Sequence, residues 1–426
     1  MGFYFFLKMT ITNLYSLFKK HPFICTDSRK SIKGSVFFAL KGDNFNGNQY
    51  ALEAIQDGCS YAIIDEETYN THQNIILVDD VLETLQELAT YHRKQLNIPV
   101  IGITGTNGKT TSKELIKSVL NSEKNCYATK GNLNNHIGVP LSILEIKEQH
   151  EIAIIEIGAN HQKEIEFLCN IANPTHGVIT NIGSAHLEGF GSLEGIIDTK
   201  NELYKFITKN NGLLFINSDD DLLLGLAGST PKITYGKIGD LKGLIENNTP
   251  FIKVIYQETT ISSQLIGNFQ FSNIMLAICV GDYFNISTSN IKQGIEDYTP
   301  TNNRSQIIET KNNALILDAY NANPSSMQAM LLSFSEQEYL NKLCILGDML
   351  ELGKESEKEH QKIILLCKKL SLDCHYIGKE FRKVTKKAFK NRKEFEAKLK
   401  QKGMLNNTIL LKGSRGISLE KLVEYL

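Results

Sequence analysis

The stretch "ITGTNGKTTSKELI" (residues 103–116) joins the end of an apolar run to a glycine-rich turn and an amphipathic segment. Glycines in such a turn let backbone N–H groups converge on phosphate oxygens, and a following helix N-terminus adds positive potential. The usual loop has a glycine five positions before its Gly-Lys pair, where this chain has Ile103. A chance turn capped by threonine is the alternative, but the strand before and the helix after favour a phosphate-binding loop.

The composition limits the class of protein. A chain of 426 residues predicts about three domains of roughly 150 residues each. The net charge of −1 gives no basic footprint for nucleic acid. Eight scattered cysteines without a C-x-x-C pair indicate reduced thiols in a cytoplasmic protein. The apolar start "MGFYFFLK" is too short to span a membrane, so we expect no membrane insertion, and translation from Met9 is an alternative start.

Apolar runs and turn signals predict an α/β fold of three domains, at residues 1–97, 98–300 and 301–426. The central domain has near-continuous apolar runs, typical of a parallel sheet covered on both faces, and a β-rich annex at 230–266. In the C-terminal domain, strands end in polar or glycine-rich loops, which is the ligand side of an open α/β sheet. The predicted strands are "VFFAL" (36–40), "YAIID" (61–65), "NIILV" (74–78), "PVIGIT" (99–104), "EIAIIEIGA" (151–159), "HGVITNIG" (176–183), "GLLFIN" (212–217), "ALILDAYNAN" (314–323), "KLCILGDM" (342–349) and "TILLKGSRG" (408–416).

Residues 379–402 are rich in Lys and Arg, with aromatic and aliphatic residues at near-helical spacing. A nucleic-acid or membrane patch is one interpretation. An amphipathic surface helix is the better one, because Glu380, Glu394 and Glu396 interrupt the positive charge.

Three further residues are candidates for chemistry. Glu156 lies at the end of an apolar strand, where a carboxylate must be hydrogen-bonded or bind a metal. His186 lies in a Gly- and Ser-rich loop after another strand, although a lone loop histidine is more often a surface residue. Lys200 lies fourteen residues further on, in a predicted helix where a lysine is usually solvated.

Together these stretches resemble the Mur ligase family. The order "GTNGKTT", "GNLNNHIGVP", "EIGANHQKEI", "AHLEGFGS", "TKNELY", "DAYNANPSSM" and "KGSRG" is similar to that family over nearly the whole chain after Met9, and "TDSRK…VFFALKGDNFNG" (26–47) resembles its UDP-substrate domain. The resemblance accounts for the unusual loop spacing, and "GANHQ" with "AHLEGFGS" is most similar to the branch that adds D-alanyl-D-alanine.

The resemblance implies a UDP-substrate-binding domain, a central P-loop ATPase domain and a Rossmann-like C-terminal domain. It also implies an ATP-dependent amide ligase that acts through an acyl phosphate with two Mg²⁺ ions. The small-molecule substrates would be UDP-N-acetylmuramoyl-tripeptide and D-Ala-D-Ala. We expect a monomer.

Residue roles follow from the same resemblance. Lys109, Glu156, His186 and Lys200 would be catalytic. Thr110 and Glu156 would hold one Mg²⁺, and His186 with a carbamylated Lys200 would hold the second. ATP would contact Gly105, Thr106, Asn107, Gly108, Lys109, Thr110, Thr111, Asn273, Arg304 and Asp318. The other substrates would contact Ser28, Arg29, Lys41, Gly42, Asn134, Asn135, Tyr320, Asn321 and Asn323.

Some alternatives stay open at this point. In "GNFQFSN" the first Asn of the family's G-x-x-N-x-x-N pattern is Gln270, so only Asn273 is assigned to the nucleotide. Asp318 is also compatible with a helix cap, and Arg304 with a surface ion pair. The rival functions are a Mur ligase that adds a single amino acid, a folylpolyglutamate synthetase, and a catalytically silent nucleotide-binding homologue.

Overall fold

The computed structural model describes residues 9–30, 32–184, 187–247, 249–301 and 303–426. The chain divides into two compact units. The first contains the N-terminal region to Gly102 together with Lys124–Gly158 and Glu164–His176. The second contains Ile103–Glu123, Ala159–Lys163 and the chain from Gly177 onward. The predicted apolar start, residues 1–8, lies outside the described residues.

The N-terminal region alternates short strands and helices, as its apolar runs predict. Its elements are α1 (Ile11–Lys20), β1 (Ile24–Cys25), β2 (Val36–Phe38), β3 (Lys41–Gly42), β4 (Phe45–Asn46), α2 (Ala51–Gln56), β5 (Tyr61–Ile64), β6 (Ile75–Leu77) and α3 (Val81–Gln95).

The central region continues the alternation and ends in two helices. Its elements are β7 (Val100–Thr104), α4 (Lys109–Leu120), β8 (Cys126–Ala128), α5 (Gly138–Leu144), β9 (Ile152–Glu156), α6 (Glu164–Ala172), β10 (His176–Ile179), α7 (Leu187–Phe190), α8 (Leu193–Lys209), β11 (Leu213–Asn217), α9 (Asp221–Ala227), β12 (Lys232–Gly236), β13 (Leu241–Asn247), β14 (Lys253–Tyr256), β15 (Thr259–Ser262), α10 (Phe271–Tyr283) and α11 (Thr288–Glu296).

The C-terminal region repeats the strand–helix rhythm. Its elements are β16 (Gln306–Glu309), β17 (Ala314–Asp318), α12 (Pro324–Glu336), β18 (Lys342–Gly347), α13 (Ser356–Lys369), β19 (Asp373–Ile377), α14 (Lys379–Val384), α15 (Arg392–Gln401) and β20 (Thr408–Lys412).

In the first unit, β1, β2, β5 and β6 form a parallel sheet in the order β1-β2-β5-β6. Phe37 pairs with Ala62 across β2 and β5, and both side chains are buried in the same apolar cluster. Strands β8 and β9 of this unit pair in parallel as well. Parallel strands covered by apolar residues are what the continuous apolar runs predict.

In the second unit, the order β11-β12-β13-β14-β15 changes from parallel to antiparallel. The pairs β11–β12 and β12–β13 are parallel, whereas β13–β14 and β14–β15 are antiparallel. The β-rich annex predicted at 230–266 is therefore confirmed as strands β12 to β15.

A five-stranded sheet in the order β16-β17-β20-β18-β19 forms the C-terminal core. Only its edge strand β16 is antiparallel among the described pairs. Along β17, Leu315 and Leu317 lie in one apolar cluster with Phe395, while Ile316 lies in another with Met327. Side chains alternate between the faces of a strand, so these two clusters cover opposite faces of a Rossmann-like sheet.

The prediction of one amphipathic surface helix at 379–402 is wrong. The segment forms α14 and α15, with a turn around Phe389 that bridges to Ile377 of β19. Phe381 and Phe395 are fully buried. Their near-helical spacing reflects core packing from two helices, while the lysines remain on the outside.

The longest helix in the described part of the chain is α8, with 17 residues. None of the described helices combines the length and the apolar character needed to cross a membrane.

Candidate active site

The glycine-rich loop connects β7 to α4, as the sequence predicts. Gly108 is the N-cap of α4 and adopts a left-handed conformation with φ of 80°. The loop backbone is anchored after β10: Asn107 donates its N–H to Asn181 Oδ1 at 3.0 Å, and its carbonyl accepts from Thr180 Oγ1 at 2.6 Å. Thr180 and Asn181 were not predicted from the sequence as site residues. Their position directly after a predicted strand could have indicated a role in the site, because the carboxyl ends of parallel strands lie side by side.

Local contacts hold two more residues of the loop, Lys109 and Thr106. Lys109 Nζ donates to the carbonyl of Gly105 at 2.6 Å, so its ammonium lies over the loop. Thr106 Oγ1 donates to the carbonyl of Gly183 and accepts from its N–H. Thr110 and Thr111 lie in the first turn of α4 and are buried. The loop thus places a cation and a helix N-terminus at one place, which suits a phosphate chain.

Asn273 reaches the loop from α10. Its Oδ1 accepts from Ser112 Oγ at 2.9 Å, and its Nδ2 donates to Gln270 Oε1 at 2.7 Å. A Cβ atom added to Gly108 would lie 2.7 Å from Asn273 Oδ1. Gln270 replaces the asparagine of the family pattern. It is buried, and its side-chain oxygen orients Asn273 by accepting the hydrogen bond from Nδ2.

Glu156 lies in the first unit, at the end of β9, and is 1% exposed. Its Oε1 accepts from Asn134 Nδ2 at 2.8 Å, and its N–H donates to Thr129 Oγ1. Asn135 instead accepts from the N–H groups of Ile137 and Gly138 at the start of α5. The structure thus brings Glu156 and Asn134 together, whereas the side chain of Asn135 caps a turn.

Lys200 is buried in α8, with 3% exposure, so the interpretation as a solvated surface lysine is wrong. Its Nζ lies 5.6 Å from the ring centroid of Phe190 in α7. Ser192 caps α8 by accepting from the N–H of Gly195. His186, predicted to act with Lys200, lies outside the described residues.

Asp318 ends β17 opposite Lys412 of β20. Asp318 Oδ2 accepts from Lys412 Nζ at 2.5 Å, and its Oδ1 accepts from the N–H of Ser305 at 3.2 Å. Asn323 caps α12, so the interpretation of Asp318 as the cap of that helix is wrong. Lys412 belongs to the "KGSRG" stretch, but its pairing with Asp318 could not be predicted from the sequence.

Two guanidinium groups lie near the ring of Tyr320. The Cζ atom of Arg304 is 3.8 Å from its ring centroid, and that of Arg415 is 5.5 Å away. Arg304 forms no ion pair with the described residues, so the ion-pair interpretation has no support there. The exposed Asn321 accepts the N–H of Ala322 on its own Oδ1.

Asn323 contacts the glycine-rich loop directly. Its Nδ2 donates to Asn107 Oδ1 at 2.8 Å, while Asn107 Nδ2 donates to Ser325 Oγ at 2.9 Å. The segment that follows β17 therefore meets the loop that follows β7.

Four of the residues that the family resemblance assigns to substrates, Ser28, Arg29, Lys41 and Gly42, lie in the N-terminal region. Arg29 forms two hydrogen bonds of 2.8 Å with Asp27, which holds the pKa of that carboxyl below its usual value. Lys41 pairs with Asp65 at 2.9 Å. Burial would raise the pKa of Asp65, but Lys41, Asn48 and the N–H of Val81 together lower it. Ser28 begins a short 3₁₀ turn, and Gly42 is exposed in β3.

A magnesium site needs few protein ligands. Mg²⁺ is usually bound by one or two carboxylates, phosphate oxygens and water, instead of a cage of side chains. In the described ranges, no group of three His, Cys, Asp or Glu side chains is arranged to hold a metal. The carboxylate of Glu156 and the hydroxyl of Thr110, in the first turn of α4, are donors of the hard oxygen type that Mg²⁺ prefers.

Comparison with known families matches three consecutive segments of the chain. Residues 21–93 match the model of the Mur ligase family, catalytic domain. Residues 103–281 match the Mur ligase middle domain, and residues 303–415 match the Mur ligase, glutamate ligase domain.

Individual proteins are similar over nearly the whole chain. The UDP-N-acetylmuramoyl-tripeptide--D-alanyl-D-alanine ligase of Bacillus subtilis is 35% identical, over 95% of this chain and 92% of the relative. The crystal structure of MurF from Acinetobacter baumannii has a TM-score of 0.83 at 31% identity, over 94% of this chain and 92% of that one. The MurF ligase of Thermotoga maritima in complex with ADP has a TM-score of 0.82 at 27% identity, over 95% and 96%.

Proposed function

We propose that this chain, which belongs to the Mur ligase family, is an ATP-dependent ligase that joins D-alanyl-D-alanine to UDP-N-acetylmuramoyl-tripeptide in peptidoglycan precursor synthesis. The observation that carries the proposal is the nearly full-length similarity to ligases with this activity, combined with an intact glycine-rich loop. A single-residue Mur ligase and a folylpolyglutamate synthetase are disfavoured, because the full-length relatives named above are D-alanyl-D-alanine ligases or MurF proteins.

The chemistry requires that ATP activate a carboxylate. The terminal carboxylate oxygen of the tripeptide attacks the γ-phosphorus of ATP, and the bond to the β,γ-bridging oxygen breaks, which yields an acyl phosphate and ADP. The amine of D-Ala-D-Ala then attacks the acyl carbon, phosphate leaves with the C–O bond electrons, and the amine loses a proton. The protein contributes positioning and charge neutralisation to both steps.

The loop residues supply the nucleotide contacts in this proposal. Lys109 would move from the carbonyl of Gly105 to the phosphate oxygens, and the N–H groups at the start of α4 would bind them. Asn273, held by Ser112 and Gln270, would lie beside the nucleotide. Arg304 and Asp318 would contact the phosphate and ribose ends, as the family resemblance implies.

Two Mg²⁺ ions are part of the proposal. Thr110 and Glu156 would hold one ion, and His186 with Lys200 the other. When bound, the ions would neutralise charge on the phosphate oxygens and the attacking carboxylate. Glu156 suits this role because Asn134 orients its carboxylate at the end of a buried strand.

Lys200 would act as a carbamate. An ammonium buried beside a metal ion would be repelled, whereas a carbamate offers anionic oxygens. The burial of Lys200 supports a role inside the protein, since a lysine is almost never fully buried unless its charge is compensated.

The remaining substrate contacts are proposals as well. Ser28, Arg29, Lys41 and Gly42 would bind the uridine-diphosphate end, and Asn134 with Asn135 the peptide-bearing part. Tyr320, Asn321 and Asn323 would face D-Ala-D-Ala. We also propose domain boundaries near residues 97 and 300, a monomer, and action in the cytoplasm, where ATP is available.

The deciding experiment measures phosphate release from ATP with both substrates present and with each omitted in turn. We expect release only with UDP-N-acetylmuramoyl-tripeptide and D-Ala-D-Ala together. Replacing the dipeptide by L-Ala, D-Glu or a diamino acid should reduce the rate strongly. Equal or faster release with one of those amino acids would assign the chain to another branch of the family, and no release with any of them would indicate a silent homologue.

A further inference from the structure

Asn107 is held on two sides. Its backbone bonds to Thr180 and Asn181, which follow β10. Its side chain bonds to Asn323 and Ser325 at the start of α12, more than two hundred residues away in sequence. One residue of the glycine-rich loop therefore contacts both the residues that follow β10 and the start of α12.

The hydrogen bonds at the start of α12 use both the oxygen and the nitrogen of the Asn323 side chain. Asn323 Oδ1 accepts from Ser325 Oγ and from the N–H of Ser326, both at 2.9 Å. This leaves Asn323 Nδ2 to donate to Asn107 Oδ1, and Ser325 Oγ to accept from Asn107 Nδ2. Each amide has one orientation that satisfies all of these bonds, so the cap of α12 also determines the side-chain orientation of Asn107.

The backbone of Gly183 approaches the side chain of Ser325 closely at the same place. A Cβ atom added to Gly183 would lie 3.0 Å from Ser325 Oγ. Gly183 is itself bonded to Thr106 of the loop through both its N–H and its carbonyl. The first turn of α12 thus packs against both Asn107 and the neighbour of Thr106.

We infer that Asn107, Asn323 and Ser325 form a positioning latch that couples the nucleotide loop to the C-terminal region of the chain. The inference rests on the proposed function, because the ligand of the loop is taken to be ATP. When Asn323 and Ser325 at the start of α12 bond to Asn107, the latch holds the loop backbone in the conformation that binds phosphate. Coupling is reciprocal. Bound nucleotide therefore strengthens the contact between α12 and Asn107 by the same factor by which that contact strengthens nucleotide binding. Because Tyr320 and Asn321 directly precede the latch, the segment proposed for D-Ala-D-Ala is positioned with it.

Asn323→Asp tests the latch because it keeps the cap of α12 and removes the hydrogen bond that Asn323 donates to Asn107. Aspartate retains an oxygen that accepts from Ser326 N–H, and Asp is as good a cap as Asn. It loses the donor to Asn107 Oδ1 and places a carboxylate against that oxygen. The matched control is Asn391→Asp, since Asn391 caps α15 through the N–H of Glu394.

The measurement is calorimetric binding of ADP to the full chain, with kcat and KM for ATP. We expect Asn323→Asp to weaken ADP binding and raise KM for ATP about 3- to 10-fold, the range of one hydrogen bond, with a smaller change in kcat. Asn391→Asp should bind ADP like the wild type. The double variant Asn107→Ala/Asn323→Asp should bind no more weakly than Asn107→Ala alone, because the contact is already lost.

Wild-type ADP affinity in Asn323→Asp, or effects that multiply in the double variant, would overturn the latch. If Asn323→Asp does not fold, the same cycle with Ser325→Ala and Asn107→Ala decides, since Ser325 Oγ contacts Asn107 directly. Failure of the wild-type chain to bind any adenine nucleotide would be a separate result, which overturns the proposed function itself.

Discussion

Gly108 lies directly against Asn273, so that a Cβ atom at residue 108 would be 2.7 Å from Asn273 Oδ1. Asn273 cannot move away without losing its bonds to Ser112 and Gln270. Gly108 also has a φ of 80°, which residues with a Cβ rarely adopt. The requirement for glycine at this point of the loop is therefore both conformational and steric.

Gly108→Ala should weaken nucleotide binding and lower the free energy of unfolding by more than the backbone strain alone. The matched control is Gly34→Ala, because Gly34 has a similar φ of 87° but no atom within 4 Å of an added Cβ. We expect about 1–2 kcal/mol of destabilisation for Gly34→Ala and clearly more for Gly108→Ala. Urea unfolding and ADP calorimetry would measure both, and equal losses in the two variants would show that the contact with Asn273 is unimportant.

Lys109→Ala should abolish ATP-dependent phosphate release while leaving the fold intact. The Nζ atom bonds to the carbonyls of Gly105 and Thr106 in the same loop, so its removal should cost little stability. Lys117→Ala, at the other end of α4, is the control and should remain active. Steady-state kinetics and thermal unfolding separate the two effects, and near-normal turnover in Lys109→Ala would contradict the nucleotide assignment.

Lys200→Ala should lose nearly all activity, and a short carboxylic acid such as acetate should restore part of it by supplying the missing oxygen ligand. Lys200→Arg should stay inactive, because it keeps the positive charge and cannot form a carbamate. Lys205→Ala, on the exposed side of the same helix, should behave like the wild type. Phosphate release with and without acetate is the measurement, and full activity in Lys200→Arg would exclude the carbamate.

His176 should make the protein less stable in mild acid. Burial lowers the pKa of His176 to about 4, below its ordinary value of 6.5. Between these values the unfolded chain binds a proton that the folded chain does not, so the stabilisation is present above pH 6.5 and is lost as the pH falls toward 4. The loss attributable to this residue is roughly 3 kcal/mol, from 1.36 kcal/mol per pKa unit.

Urea unfolding at pH 7 and at pH 4.5 tests this prediction, with His176→Gln as the comparison. Glutamine keeps polar atoms near Thr175 Oγ1, which lies 2.8 Å from His176 Nδ1, but it cannot titrate. The variant should lose less stability than the wild type over this pH range. The same loss in both proteins would place the acid sensitivity at other groups.

The local pattern of the sequence determined most of the architecture. Apolar runs at 61–65, 151–159 and 314–323 became β5, β9 and β17, because a buried parallel strand needs apolar residues on both faces. The glycine-rich loop could be located from its own residues and from its position between a strand and a helix. These features depend on neighbours in the chain, which a linear pattern records.

The tertiary structure alone decided which side chains meet. Lys200 is buried, although its position in a helix gave no indication of that. Asp318 pairs with Lys412, and Asn323 contacts Asn107, in each case across two different elements. The break between α14 and α15 was likewise invisible, since aromatic spacing looks the same for one exposed helix and for two helices packed on a core. Periodicity specifies which face of an element is apolar. Only the path of the whole chain determines which residues contact that face and the polar groups beside it.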